Sequence, residues 1–265
     1  MDCPDCGTAK VGVRIVGGKE TPPHRYPWMA SLADERMSPF CGASLINDRY
    51  LLTAAHCLSH IAVRDIRVLL GHHNVKNLTG VTILKVDNVV PHPDYTDDDP
   101  DQKYDIALIR LTSRVKFSNT ITPVCLPSRS TVDRNFHELK VAGWGVMRRG
   151  DRDGSDTLQE AVVPEVSMET CVQRHHRGRV TAQHICAGNK TVDTCDGDSG
   201  GPLMTQWIGR THVVGITSWG IACAHSYYPA VFTRVSSYAA WINGHTMDAK
   251  YCNNRNPFDP YRFTP

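Results

Sequence analysis

Short apolar segments separated by turn residues run through most of this chain, and they constrain its fold more than any other feature. The first series, at strand lengths and rich in β-branched residues, comprises SLINDRYLLTA, DIRVLLG, VTILKVDNVV and DIALIRL. The proline-bearing connector SNTITPVCLP leads to a second series, HELKVAGWG, LQEAVVPEV, GPLMTQ, HVVGITSWG and AVFTRV. Two series of short strands of similar size predict an all-β protein built from two β units.

Helical spacing is clear only near the C-terminus. In VSSYAAWINGHTM, Ser236 or Ser237 can cap a helix that places Tyr238, Trp241 and Ile242 on one face. We therefore predict a helix over residues 236–247. The tail that follows, residues 248–265, is rich in Asn and Pro and has no periodicity.

The bulk properties of the chain exclude several classes of function. Its 265 residues, 41% of them hydrophobic, suffice for a full core in one large domain or two small ones. The net charge of +2 gives no electrostatic preference for nucleic acid or an anionic membrane. No apolar run approaches the length of a membrane span. We expect neither nucleic-acid binding nor a membrane span.

The ten cysteines are an even number at scattered spacings. Cys3 and Cys6 form a C-x-x-C pair without a second pair at zinc-site spacing, which favours a disulfide framework over a metal site. Glycosylation sequons at Asn77 and Asn189 are compatible with secretion. The N-terminus MDCPDCGTAK has no apolar centre, so we interpret the chain as a fragment or a processed part of a longer secreted precursor.

Three polar residues occur in unusual surroundings. His56 follows the apolar YLLTAA, Asp105 opens the apolar IALI, and Ser199 lies in the glycine-rich bend DTCDGDSGGP. A carboxylate beside a buried strand is unfavourable unless it is hydrogen-bonded. A serine hydroxyl becomes a good nucleophile only when a base takes its proton, and that base needs an orienting carboxylate. The chain supplies all three groups.

These segments resemble the signatures of the chymotrypsin-like serine proteases. LLTAAHC, DIALIRL and GDSGGP are similar to the three catalytic signatures, RIVGG to the activation site, and SWG to the substrate-binding strand. The resemblance runs from about Ile15 to about Met247. It implies two packed antiparallel six-stranded β-barrels, at about residues 15–120 and 121–235, with a C-terminal helix. It also implies hydrolysis of peptide bonds after Arg or Lys through an acyl-enzyme, without a cofactor.

The same resemblance implies a role for each catalytic residue. Ser199 is similar to the nucleophile, His56 to the general base and acid, and Asp105 to the carboxylate that fixes the imidazole tautomer. The backbone N–H groups of Gly197 and Ser199 correspond to the oxyanion hole.

The implied specificity pocket is open and negatively charged. Asp193 at its base favours Arg or Lys through a charge-assisted contact. Ala230 stands where trypsin-like enzymes have glycine, and a methyl added to a tight slot can cost about 1–3 kcal/mol. Asp196 at the rim and the acidic loop at 94–101 are expected to make the entrance negative. The full implied set is Asp193, Thr194, Asp196, Ser218, Trp219, Gly220 and Ala230.

The RIVGG segment implies that the chain is a zymogen. Cleavage after Arg14 would free the ammonium of Ile15, which in the family pairs with the carboxylate that here is Asp198. Residues 1–14 would be the remnant of a propeptide or light chain. The implied partners are protein substrates with Arg or Lys at the cut, protein inhibitors and an upstream activating protease.

The resemblance also implies disulfide partners. These are Cys41–Cys57, Cys171–Cys186, Cys195–Cys223 and Cys6–Cys125, the last tying the N-terminal head to the body. Cys3 and Cys252 have no family partner, and they pair either with each other or with a missing upstream domain.

The loop GHHNVKNLTG lacks Asp and Glu, so calcium is not expected there. The histidine pairs His72-His73 and His175-His176 lack nearby ligands and are expected on the surface.

Two alternative functions compete with a trypsin-like endopeptidase of a proteolytic cascade. They are a catalytically silent homologue that acts as a binding module and a broad digestive trypsin.

Overall fold

The computed structural model describes residues 5–10, 19–99, 101–127, 138–146, 153–175, 179–188, 197–220 and 227–252. These parts of the chain form mainly β-strands, with two short α-helices and three short 3₁₀ helices. No helix within them is long and apolar enough to cross a membrane.

The first series of apolar segments closes into an antiparallel barrel. Its strands are β2 (Met29–Ala33), β3 (Pro39–Leu45), β4 (Tyr50–Thr53), β5 (Arg67–Leu70), β6 (Thr82–Pro91) and β7 (Ala107–Leu111), joined in the order β2-β3-β4-β7-β6-β5. Every residue of β2 and β4 is buried. Thr53 at the end of β4 pairs with Ala107 at the start of β7, which places the start of β7 next to the turn that follows β4.

The second series forms an antiparallel sheet of eight described strands. They are β1 (Lys19–Glu20), β8 (Leu139–Gly143), β9 (Gln159–Val163), β10 (Glu165–Val166), β11 (His184–Ala187), β12 (Pro202–Trp207), β13 (Arg210–Trp219) and β14 (Ala230–Arg234). Their order is β1-β9-β8-β12-β13-β14-β11-β10. Five of the six central strands lie in the predicted segments of the second series, whereas β11 was not predicted; the two-residue strands β1 and β10 extend the sheet at its edges. The architecture confirms the predicted chymotrypsin-like all-β fold. Among the described strands, the first unit is a closed barrel and the second is a half-barrel.

The predicted C-terminal helix is present, but its capping differs from the prediction. A 3₁₀ helix over Val235–Tyr238 leads into α2 (Ala239–His245), and no side-chain capping bond forms at either start. The serine caps proposed at Ser236 and Ser237 are therefore wrong, because both residues lie inside the 3₁₀ turn. The other helix, α1 (Met168–Arg174), is capped by the hydroxyl of Ser167.

The disulfides tie distant parts of the chain together. The bonds Cys6–Cys125, Cys41–Cys57 and Cys171–Cys186 have the partners that the resemblance implied. Cys252 is disulfide-bonded as well. The remaining cysteines, Cys3, Cys195 and Cys223, lie outside the described residues, and so does the proposed Cys195–Cys223 bond.

Candidate active site

The Asp105 carboxylate lies in the interior and is held by hydrogen bonds from two elements. It is completely buried. Its Oδ1 accepts the backbone N–H of His56 at 3.0 Å, and its Oδ2 lies 2.8 Å from His56 Nδ1. The hydroxyl of Ser218 donates to the same Oδ2 at 2.5 Å. These bonds offset the loss of water around the carboxylate.

This arrangement assigns the tautomer of His56. An ionised carboxylate only accepts hydrogen bonds, so Nδ1 carries the proton and Nε2 is left as an acceptor. Burial lowers the pKa of His56, but the hydrogen bond and charge of Asp105, with a further contribution from Asp97, outweigh it. The pKa of His56 therefore lies above its ordinary value, which makes the imidazole a stronger base.

The Ser199 bend is fixed to both β units. The Ser199 carbonyl accepts the N–H of Gly42 in β3 at 2.8 Å, and the N–H of Gly200 donates to the Thr217 carbonyl in β13 at 2.9 Å. Gly200 has a φ of +76°, and a Cβ there would meet the Thr53 hydroxyl oxygen at 2.3 Å. Only glycine fits this turn.

Ser199 is connected to His56 through the first barrel. Gly42, which binds the Ser199 carbonyl, follows Cys41, and the Cys41–Cys57 disulfide leads to the residue next to His56. A hydrogen bond from the Ser199 hydroxyl to His56 is absent between these two described residues, and His56 Nε2 lies 3.8 Å from Cys57 Sγ. Catalytic hydrogen bonds are often long without substrate and shorten when it binds.

Asp198 and Gly197 pack against the end of β8. Gly145 donates its N–H to Asp198 Oδ1 at 3.0 Å. A Cβ at Gly143 would lie 2.0 Å from the same oxygen, so the carboxylate fits closely against this backbone. Gly197 has a φ of +94°, a conformation that favours glycine.

Only one side of the predicted specificity pocket is described. Ser218 and Trp219 end β13, Gly220 follows them, and Ala230 begins the neighbouring β14. A Cβ on Gly220 would lie 3.9 Å from the Ala230 Cα, so these two residues face each other closely. The remaining predicted members, Asp193, Thr194 and Asp196, lie outside the described residues, as do Arg14 and Ile15.

The acidic loop borders the site. The Asp97 carboxylate is exposed and accepts hydrogen bonds from Tyr95, at 3.0 Å, and from Ser59, three residues after His56. Its negative charge contributes to the raised pKa of His56. Asp101 at the other end of the loop pairs with Arg179 at 3.2 Å and with Lys103 at 3.3 Å.

Two histidines expected on the surface are in fact buried. His72 bonds Ser31 Oγ at 2.8 Å through Nε2 and stacks on Trp144 with ring centroids 4.5 Å apart. Burial, reinforced by two neighbouring histidines, lowers the pKa of His72 to about 4. His175 is fully buried and bonds the Pro229 carbonyl at 2.7 Å. The surface interpretation of these two residues is therefore wrong; His176 lies outside the described residues.

The described residues offer a poor metal site. Cys41, His56 and Cys57 bring potential ligand atoms within 4.8 Å of one another. Both sulfurs are consumed by the disulfide between them, so neither is a thiolate ligand.

The sequon at Asn77 lies on the surface, in a conformation typical of a turn. Asn77 and Thr79 are both exposed, and the Asn77 side-chain oxygen accepts the Thr79 N–H at 3.0 Å. The second sequon, at Asn189, lies outside the described residues.

Comparisons with known proteins agree on one family. Residues 15–242 match the family model described as Trypsin. The chain is 35% identical to Phenoloxidase-activating factor 1 of Holotrichia diomphalia over 91% of its length and 72% of that protein. It is also 35% identical to human Transmembrane protease serine 5, over 94% of the chain but only 55% of that protein.

A solved structure shares the architecture. Neuropsin, a serine protease expressed in the limbic system of mouse brain, superposes with a TM-score of 0.78 at 33% sequence identity. The superposition covers 88% of this chain and all of that one.

Proposed function

The chain belongs to the trypsin family of serine proteases, and from this premise we propose that it is an endopeptidase that cuts after Arg or Lys. The observation that carries the proposal is the buried Asp105 carboxylate, which holds the His56 Nδ1 proton and leaves Nε2 to act on a serine hydroxyl. We assign Ser199 as nucleophile, His56 as general base and acid, and Asp105 as the orienting carboxylate.

The proposed reaction proceeds in two halves. His56 Nε2 takes the Ser199 hydroxyl proton as Oγ attacks the scissile carbonyl carbon, and the N–H groups of Gly197 and Ser199 stabilise the oxyanion. The imidazolium then gives that proton to the leaving amine, and the acyl-enzyme remains. Water, deprotonated by His56, attacks the acyl carbon, and its proton passes through His56 to Ser199 as the ester bond breaks.

Specificity for Arg and Lys rests on the proposed pocket. Asp193 would bind the cationic side chain of the substrate, with Thr194, Ser218, Trp219 and Gly220 around it. Asp196 and the 94–101 loop would make the entrance negative and disfavour acidic residues beside the scissile bond. Peptides with Asp or Gln at that position test this, because electrostatic discrimination must weaken at high salt.

The proposed context is a secreted zymogen in a proteolytic cascade. Residues 15–247 would be the protease domain, 1–14 a linked remnant and 248–265 a tail. Asn77 and Asn189 are the proposed glycosylation sites. The partners would be protein substrates, an activating protease and protein inhibitors.

The decisive test uses protein cleaved at the Arg14–Ile15 bond. An arginyl or lysyl ester titrant should release one burst equivalent per cleaved chain, and Ser199→Ala should abolish the burst while the fold is retained. A substrate library should then show Arg or Lys before the cut, and Asp193→Ser should remove that preference. A cleaved, folded wild type without a burst would favour the silent binding module, and broad tolerance of flanking residues would favour a digestive enzyme.

A further inference from the structure

Tyr104, directly before Asp105, has an unusual backbone conformation. Its φ is +60°, in the left-handed region that bulky residues rarely occupy. The N–H of Ile106 donates to the Tyr104 carbonyl at 2.7 Å, so the chain makes a tight turn around Asp105. Strained conformations of this kind persist only where the surroundings hold them.

An aromatic cluster holds the Tyr104 ring in place. This aromatic brace consists of His92, Tyr104, Tyr238 and Trp241. The ring of His92 lies parallel to that of Tyr104, at 5.0 Å and 12°. Tyr238 meets both rings edge-on, at 5.2 Å from His92 and 6.4 Å from Tyr104. Trp241 packs on His92 at 5.4 Å.

The brace joins three separate elements at the Asp105 turn. His92 follows β6 and donates its N–H to the Ile106 carbonyl at 3.0 Å. Tyr238 ends the C-terminal 3₁₀ helix, and Trp241 lies in α2. On the opposite side, the hydroxyl of Thr233 in β14 donates to the Asp105 carbonyl at 2.8 Å. The turn is therefore held by the first barrel, the second sheet and the C-terminal helix.

We propose that Tyr104, through the aromatic brace, is a positioning residue that fixes the strained turn presenting the Asp105 carboxylate to His56. The ring reaches His92 from a backbone with positive φ, so its stacking stabilises the conformation that the backbone disfavours. A return of Tyr104 to negative φ would change the direction of the backbone at Asp105. The Asp105 carboxylate could then no longer keep its hydrogen bonds with both His56 and Ser218, which require one position of the side chain. The catalytic part of this inference rests on the proposed function.

Three substitutions at one position separate ring packing from backbone strain. Tyr104→Phe keeps the ring and should match the wild type. Tyr104→Ala removes the stack but keeps the backbone penalty, so the turn should relax and kcat/KM should fall about tenfold, mainly in kcat. Tyr104→Asn also removes the stack but tolerates positive φ, so its loss should be smaller. Ile208→Ala is the control, because Ile208 also has positive φ, of 48°, but is 82% exposed on a hairpin.

The pKa of His56, followed by NMR of its ring protons, tests the proposal without catalysis. A displaced Asp105 should lower that pKa in Tyr104→Ala, with partial recovery in Tyr104→Asn and full recovery in Tyr104→Phe. A lower Tm in Tyr104→Ala with an unchanged His56 pKa would mean that the Tyr104 ring only stabilises the fold by packing, and this result would overturn the proposal. If the wild type lacks hydrolytic activity while the His56 pKa still responds to Tyr104, the proposed function fails and the positioning role stands.

Discussion

At the scale of single residues, a second carboxylate besides Asp105 acts on His56. Asp97 is exposed, and its charge contributes to the raised pKa of the imidazole. Because the base must be neutral to accept a proton, kcat/KM should fall as the pH drops through that raised pKa. Asp97→Asn should move this acid limb to lower pH, by about 0.3 pH units at low salt, as expected for an exposed charge.

Two control experiments accompany this first prediction: a measurement at high salt and a substitution of a neighbouring carboxylate. The displacement should shrink at high salt, since exposed charges are screened. Asp98→Asn is the matched variant, because Asp98 is also exposed on the same loop but is not among the groups that shift the His56 pKa. Equal displacement in both variants would contradict a specific action of Asp97.

Ala230 permits a second prediction at this scale. Its side chain is buried, it faces Gly220, and it pairs with Ala187 on the adjacent strand. If the methyl narrows the proposed pocket, Ala230→Gly should raise kcat/KM on an Arg or a Lys substrate about tenfold, the lower part of the range for overpacking. Kinetics with the two substrates measure this.

The matched control for Ala230 is its strand partner. Ala187→Gly removes a buried methyl from the same cluster and should lower stability without raising turnover. Unchanged kinetics in Ala230→Gly, with the same loss of stability as Ala187→Gly, would place the methyl in the core and not in the pocket.

The sequence predicted these residues with uneven success, for a physical reason. The pairs Cys41–Cys57 and Cys171–Cys186 follow from a family pattern that local segments carry. The burial of His175 does not, because its partner is the Pro229 carbonyl, 54 residues away. His72 is similar: it depends on Ser31 and on the Trp144 ring, neither of which its own segment reveals. The local sequence around a histidine pair is the same whether or not residues distant in the chain bury the pair.

At the scale of elements, the described start of the aperiodic C-terminal segment, residues 248–252, is attached to the first barrel. The Asp248 carboxylate accepts hydrogen bonds from the Tyr50 hydroxyl at 2.7 Å and from the Arg110 guanidinium at 2.8 Å. Lys250 donates its N–H to Asp48 Oδ1 at 2.8 Å across a separation of 202 residues. Sequence periodicity cannot predict such long-range pairing. It also cannot predict two-residue strands such as β1, which are too short to show an alternation of apolar and polar residues.

This attachment predicts that Asp248 stabilises the fold. Asp248→Ala should lower the free energy of unfolding by about 1–2 kcal/mol, because one hydrogen-bonded carboxylate and its ion pairs are lost. Burial raises the pKa of Asp248, but its hydrogen bonds and the nearby arginines outweigh burial and lower it, so its contribution is present above its ordinary pKa and is lost as the pH falls through the lowered pKa. Urea unfolding at neutral and acidic pH measures both effects.

A single exposed ion pair provides the comparison for Asp248. Asp156 bonds Lys76 at 2.8 Å, and the Lys76 side chain is 75% exposed. Asp156→Ala should therefore change stability little. A loss at Asp156 equal to that at Asp248, or a loss at Asp248 that persists unchanged at acidic pH, would contradict the role given to the C-terminal segment.

At the scale of the whole molecule, the proposed activation couples the N-terminal segment to the oxyanion region. Asp198 and Gly197 both contact the backbone around Gly145 at the end of β8. A movement of the Asp198 carboxylate must therefore disturb the neighbouring N–H groups. The ammonium of Ile15, released by cleavage after Arg14, is the proposed counter-charge for Asp198, whose Oδ1 also accepts the Gly145 N–H.

The activation prediction follows from this coupling. Trypsin should cut the wild type and Arg14→Lys at residue 14 and confer activity on both, whereas Arg14→Gln should stay intact there and inactive on an arginyl ester. In the cut enzyme, the proposed pairing with Asp198 should raise the pKa of the Ile15 ammonium above the ordinary value of about 8. Its contribution is thus present at neutral pH and is lost as the pH rises through the raised pKa, so activity should fall at alkaline pH. An uncut Arg14→Gln protein as active as cut wild type would refute the activation mechanism, since its Ile15 nitrogen would still be an uncharged amide.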